Sequence, residues 1–266
     1  MAVAAGGTLF FRAAQPSSGL ELWKSDGTAD GTLLVKDIVP GPGGSSAVPH
    51  ASVGGFVLFI ALEPATGREL WRSDGTDAGT MVQEIVPGAG SPPVLGNAFL
   101  IAGDRAVFLA DDGVHGTEPW AGDGFAVNLV ADINPGPAAS MTTVSNGFAG
   151  VFSGTASGLV ILSADDGLHG VELWASDGQT AQLIADVAVG AASSFPWRSI
   201  AVGRNIFFGA NDNKVGHELW AIGRSALHRA FNRGEPAAGE AADSSPAWFT
   251  ADDMDTERSS QEDEPL

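Results

Sequence analysis

The chain has 266 residues, with 32 Asp and Glu against 13 Lys and Arg, a formal charge of −19. That balance repels a phosphate backbone and an anionic lipid surface, so neither nucleic acid nor a charged membrane face is an expected partner. With no Cys there is no disulfide framework and no thiolate nucleophile or thiolate metal site. No apolar run approaches the ~18 residues needed to cross a bilayer, and no membrane insertion is expected.

In chain order, Met1 to Gly7 lacks a basic segment followed by an apolar one, so no export signal is visible. Thr8 to Ala13 already reads as a strand. A short motif follows that the chain writes five times: Gly, any residue, Glu, Leu or Pro, Trp. Its Glu residues are Glu21, Glu69, Glu118, Glu172 and Glu218, spaced 48, 49, 54 and 46 apart, and its Trp residues are Trp23, Trp71, Trp120, Trp174 and Trp220. A period of this size with several short strands per copy is the mark of a repeat architecture.

Each copy aligns as four strands. The first ends near Gly-Gly, as in Val48 to Gly55, and the second is a run of strong strand formers, as in Phe56 to Ala61 or Ile206 to Ala210. The third holds the Glu-Leu-Trp. An Asp-Gly turn follows at Asp26-Gly27, Asp74-Gly75, Asp123-Gly124 and Asp177-Gly178, a dipeptide that tolerates positive φ in a tight hairpin. The fourth strand spans Thr32 to Ile38, Thr80 to Ile85, Phe125 to Ile133 and Ala181 to Val187. Pro-Gly exits at Pro40-Gly41, Pro87-Gly88 and Pro135-Gly136 lead into Ser-containing linkers. The fifth copy has Gly223-Arg224 in place of the turn and no recognisable fourth strand; Ser225 to Arg233 instead reads as a short helix ended by Gly234.

These patterns predict an all-β fold: a β-propeller of about five four-stranded blades, the last incomplete, over residues 1–222. Residues 223–234 are a short helical or irregular segment. Strands apolar on both faces, such as Leu9 to Phe11 and Val57 to Ile60, suit blades sandwiched between neighbours, and the lack of polar caps favours a closed ring over an open stack. From Glu235 to Leu266 ten acidic residues face Arg258 alone, and this tail is expected to be disordered.

The five motif Glu residues are candidates for a ring of carboxylates around a cation. Set against this, a Glu between Leu and Trp in a strand most simply accepts hydrogen bonds from nearby backbone or Thr as a structural tie, and five buried like charges repel one another. The Trp set reads as core. The loops Asp111-Asp112-Gly113-Val114-His115 and Asp165-Asp166-Gly167-Leu168-His169 offer carboxylates to Ca²⁺, with Asp111, Asp112, Asp165 and Asp166 as ligands; Asx-turn chemistry explains the same pattern. The His residues show no zinc-ligand spacing. No other cofactor is implied.

The block Glu21-Leu22-Trp23-Lys24-Ser25-Asp26-Gly27-Thr28, written again as Glu69 to Thr76, resembles the bacterial ELWxxDGT repeat family, also labelled hyalin-like repeats. The likeness covers about residues 6–222 and is strongest in the first two copies, where the Asp37 to Gly41 exit also agrees. It implies a large repetitive protein, extracellular or at the cell surface, and brings no catalytic residues; the missing export signal leaves the cytoplasm open as a location. The expected function is a non-enzymatic interaction module that binds a protein or glycan through its loops. The alternative is a carbohydrate-active hydrolase or lyase with carboxylates in the central cavity. The Ser-Asp-Gly-Thr turns are similar to the Asp-box turns of sialidases, but those enzymes need a Tyr nucleophile and this chain has no Tyr. No Gly-x-Ser-x-Gly elbow is present either.

Overall fold

A computed structural model of the chain describes residues 1–86, 99–141, 154–156, 158–214, 216–234 and 236. Among these residues the strands form five antiparallel sheets, each made of strands consecutive in the chain. Sheet 1 is β1 (Ala2–Ala5), β2 (Thr8–Gln15), β3 (Gly19–Ser25) and β4 (Leu33–Lys36). Sheet 2 is β5 (Val48–Val53), β6 (Phe56–Glu63), β7 (Gly67–Ser73) and β8 (Met81–Gln83). Sheet 3 is β9 (Leu100–Ala102), β10 (Arg105–Asp111), β11 (Thr117–Gly122) and β12 (Val127–Leu129). Sheet 4 is β13 (Gly154–Ala156), β14 (Leu159–Asp165), β15 (Val171–Ser176) and β16 (Ala181–Ala185). Sheet 5 has three strands, β17 (Trp197–Val202), β18 (Asn205–Asn211) and β19 (His217–Gly223). The Pro87-Gly88 exit and, apart from Pro236, the acidic stretch from Glu235 onward lie outside the described residues.

Local sequence sets the hairpins. Ala5 pairs with Thr8 and Val53 with Phe56, so each connection has two residues. Both residues of each are Gly with positive φ, +56° and +80° at Gly6-Gly7 and +58° and +86° at Gly54-Gly55. Two left-handed residues give the turn whose twist matches the flanking strands. The longer Asp-Gly-Thr-x-x-Gly-Thr turn is held by its own side chains. Asp26 Oδ1 accepts from the Thr28 N–H and hydroxyl at 2.9 and 2.7 Å, the Thr28 hydroxyl accepts from the Gly31 N–H, and the Thr32 hydroxyl donates to the Thr28 carbonyl. Asp74, Thr76, Gly79 and Thr80 repeat every one of these bonds. Gly31 and Gly79 are required by crowding alone: a Cβ at either would overlap the carboxylate of Asp26 or Asp74.

Among the described residues four buried apolar clusters hold the sheets together, each between sheets adjacent in the chain. Phe10, Leu22 and Val35 of sheet 1 meet Val57, Phe59 and Trp71 of sheet 2. Leu58 and Leu70 meet Phe108 and Trp120, Val107 and Leu109 meet Leu162 and Trp174, and Ile161 and Leu173 meet Ile206 and Phe208. Every junction therefore joins the Leu-bearing face of one sheet to the Trp-bearing face of the next. First strands of successive sheets also pack on one another, β1 on β5, β5 on β9, β9 on β13 and β13 on β17.

The helix α1 (Arg224–Arg233) follows β19 directly and packs on β16 and β19, its Leu227 and Ala230 buried in the last cluster. Gly234 ends it in the left-handed conformation, φ +66°, its N–H bonded to the Ala230 carbonyl.

The expectation that both faces of the first repeat are covered does not hold. Leu9 is 45 % exposed, whereas its counterparts Val57, Ala106 and Val160 are fully buried. Among the described residues no buried apolar cluster joins sheet 5 to sheet 1, so the array ends in two open faces where ring closure was expected.

Candidate functional site

Glu21, Glu69, Glu118 and Glu172 are all 0 % exposed, in the third strand of sheets 1 to 4. Each side chain turns toward the linker that leads to the next sheet. Glu172 Oε1 accepts from the N–H groups of Ala188 (3.3 Å) and Ser194 (2.9 Å), and Oε2 from the Val187 N–H (2.9 Å) and the Ser194 hydroxyl (2.6 Å). Glu118 is bound in the same way by Ile133, Asn134 and Ser140. Glu21 accepts from the Val39 N–H and from both the N–H and the hydroxyl of Ser45. Glu69 accepts from the Ile85 N–H at 3.4 Å, and its Oε1 has no partner among the described residues.

The clamped serines carry the connection onward. The Ser45 carbonyl accepts from the Leu62 N–H, that of Ser140 from Asp165 and that of Ser194 from Asn211, each at 2.9 Å and each at the end of the second strand of the following sheet. One residue thus links the carboxylate of one sheet to the backbone of the next. A buried carboxylate is tolerated because several donors converge on it. Burial still dominates its titration: it pushes Glu69 and Glu172 up to about 7 from 4.5, and raises Glu118 as well, against the opposing pull of the serine hydroxyls on Glu118 and Glu172 and of the N–H donors.

Glu218, in the same motif of sheet 5, is exposed. The linker serines escape a reading of the sequence by motif, since they stand 22 to 24 residues after their Glu; a Ser recurring at that offset in successive copies was the available signal. Among the described residues no three His, Asp or Glu side chains come together as a metal-holding group, and Glu21, Glu118 and Glu172 form three separate clamps, each on its own linker.

Trp71, Trp120 and Trp174 are buried at the sheet junctions. Their indole N–H groups, and that of Trp23, find no partner among the described residues, so these rings act through apolar burial. Trp23, on the open face of sheet 1, is only half-buried, and the half-buried Trp220 donates to the Ala210 carbonyl at 3.2 Å.

The two Asp-Asp-Gly-x-His loops are built identically. Asp111 Oδ1 accepts from the Gly113 N–H, Asp112 Oδ1 from those of Val114 and His115, and Asp112 Oδ2 meets His115 Nδ1 at 2.7 Å. Asp165, Asp166 and His169 repeat these bonds. Burial works to raise the carboxyls of Asp112 and Asp166, but the bonds from the loop and the imidazole outweigh it and hold both below 3.8. The same carboxylates raise His115 and His169 above 6.5. These oxygens are engaged by the loop itself, and the loop's product is a fixed tip on which Val114 and Leu168 stand exposed. In sheet 5 Asn211 and Asp212 make the corresponding turn bonds to Asn213 and Lys214, with Asn213 (φ +60°) in the place of Gly113 and Gly167 (both +78°).

No protein-family model matches the chain, and no curated protein matches it. Among solved structures, the chain is similar to a prolyl endopeptidase at 9 % identity and a TM-score of 0.45, over 85 % of this chain and 33 % of that one. A puromycin hydrolase variant matches at 16 % identity and 0.38, over 82 % and 34 %. The SapL1 lectin, in complex with alpha methyl fucoside, matches at 13 % and 0.34, over 84 % and 75 %. The chain spans about a third of the length of the first two. At these scores the likenesses carry no argument about what the chain does.

Proposed function

We propose that the five sheets are blades of a β-propeller-type array, and that the array is a non-enzymatic module, extracellular or at a bacterial surface, that binds a protein or glycan through its loops. The packing of each first strand on the next supports the blade arrangement, since inner strands converge in this architecture. The ELWxxDGT-like blocks Glu21 to Thr28 and Glu69 to Thr76 support the location.

One observation carries the non-enzymatic reading. The buried carboxylates and the Asp–His pairs recur from repeat to repeat with the same internal partners, whereas an enzyme needs a unique pair of groups with different environments. What varies between repeats, and is exposed, lies at loop tips: Val114 and Leu168 sit on loops rigidified by their Asp–His bonds, a arrangement suited to presenting contacts at low entropic cost.

A glycan array probed with the whole chain, with and without calcium, tests the reading. Binding that weakens at least tenfold in the double variant Val114→Ser, Leu168→Ser supports the loop tips as the contact. Calcium-dependent binding abolished by Asp112→Asn with Asp166→Asn assigns an ion to these loops. Turnover of a glycan substrate contradicts the module and revives the carbohydrate-active enzyme.

A further inference from the structure

The two open ends of the array are the two halves of its own internal junction. At each of four junctions the Leu-bearing face of one sheet covers the Trp-bearing face of the next. No described sheet follows sheet 5, and its Leu-bearing face is uncovered: Leu219 is 75 % exposed, where Leu22 and Leu70 of the same motif are 0 % exposed. Ile200 and Val202 on that face are 61 % and 54 % exposed, and cross-strand pairing places Ile200 beside Phe207 and Phe207 beside Ala221. No described sheet packs on the Trp-bearing face of sheet 1, and that face is uncovered. Leu9, Phe11, Trp23 and Leu34 share that face by register, and all are exposed or half-buried.

A separate feature marks the same end. The turn glycines Gly75, Gly124 and Gly178 lie against Phe10, Phe56 and Arg105 of the preceding sheet, whereas Gly27 of sheet 1 has nothing near the position of a Cβ. Lys24 and Arg72 likewise reach forward to the carbonyls of Gly75 and Gly124, at 2.7 and 2.5 Å. At the other end α1 follows β19 directly, no described linker of the kind that Glu21, Glu118 and Glu172 clamp follows sheet 5, and Glu218 is exposed.

From this we infer that the chain binds a second copy of itself head to tail, the Leu219 face of one copy covering the Leu9 and Trp23 face of the next. The argument is continuity: the two faces are opposite members of an apolar pairing that this chain already makes four times, and apolar faces of this kind favour burial. The contact joins different surfaces of the two copies, so it is heterologous, and it propagates unless the assembly closes on itself.

Sedimentation or light scattering of the whole chain across a wide concentration range reads the mass directly. The wild type forms species of two or more copies. Leu219→Lys and Leu9→Lys, both at exposed positions and both checked for wild-type melting, are each monomeric alone. An equimolar mixture of the two forms a one-to-one dimer and nothing larger, because only one competent junction remains between them. A variant that still dimerises alone means a symmetric contact and overturns the proposal. So does a wild type that is monomeric throughout. A chain that is monomeric whole and associates when truncated after Gly234 places residues 235–266 on these faces, and equally overturns it.

Discussion

Sheets 4 and 5 carry the same Glu-Leu-Trp, at Glu172 to Trp174 and Glu218 to Trp220, and treat it in opposite ways. In sheet 4 the Glu is sealed under four donated hydrogen bonds and Leu173 is 1 % exposed; in sheet 5 Glu218 and Leu219 are both exposed. The pairing to the second strand is the same in both, Leu173 opposite Ser163 and Leu219 opposite Gly209. The strand therefore does not make the motif a core element. The next repeat and its linker do, by bringing a serine to the carboxylate and a Trp-bearing face to the leucine, and this is the nearest-neighbour logic of repeat folds.

The largest effect expected from this comparison is at the clamp. Glu172→Ala takes the acceptor from the buried Val187 and Ala188 N–H groups and leaves the Ser194 N–H and hydroxyl only the Val171 carbonyl, at 3.1 and 3.5 Å, and is expected to cost on the order of 3 kcal/mol. Glu218→Ala, at an exposed position, is expected to stay within about 0.5 kcal/mol of wild type. Urea melts of the two variants check it, and similar midpoints for both break the comparison.

The turn glycines give a smaller contrast. Gly27 and Gly124 both have left-handed φ, +96° and +87°, so Ala at either costs about 1 kcal/mol from the backbone. At Gly124 the added Cβ also meets the Phe56 ring of the preceding sheet at 2.5 Å, whereas at Gly27 it meets nothing. Gly124→Ala is therefore expected to lose a further ~1 to 2 kcal/mol in the same melts.

The response to pH probes the same buried carboxylates. Glu69 and Glu172, raised from 4.5 to about 7, hold protons in the folded chain that the unfolded chain has already released across that window. Stability is thus highest toward the acid side of the window, falls as pH rises through it, and levels off above. His115 and His169, raised above 6.5 by their Asp partners, act in the same sense, their contribution lost as pH rises past the folded values. Asp112 and Asp166, held below 3.8, act in the opposite sense and lose their contribution only as pH falls below that value. Melting temperatures from about pH 4.5 to 8 should decline, with a shallower slope in Glu172→Gln.

The all-β class and the five-sheet organisation were legible because their signals are local. Gly6-Gly7 and Gly54-Gly55 turn a chain within two residues, and Asp26 and Asp74 close their turns with Thr28 and Thr76 only two positions on. The partners of the motif Glu were not legible, because Ser45, Ser140 and Ser194 come to it only after a fourth strand and a linker have folded back. The two apolar ends were missed for the opposite reason. Leu9 and Leu219 look in sequence like Val57 and Leu70, and only the absence of a covering sheet separates them.

A double-mutant cycle between Glu118 and Ser140 tests the clamp most directly, since these two residues sit on different sides of one junction and share two hydrogen bonds, at 3.1 and 2.6 Å. Glu118→Ala, Ser140→Ala and the double variant, each measured by urea unfolding, are expected to show a coupling on the order of 1 kcal/mol or more, the second mutation costing less once the first is made. Losses that simply add would mean that carboxylate and serine stabilise the chain independently, and would contradict the account of the motif as a joint between repeats.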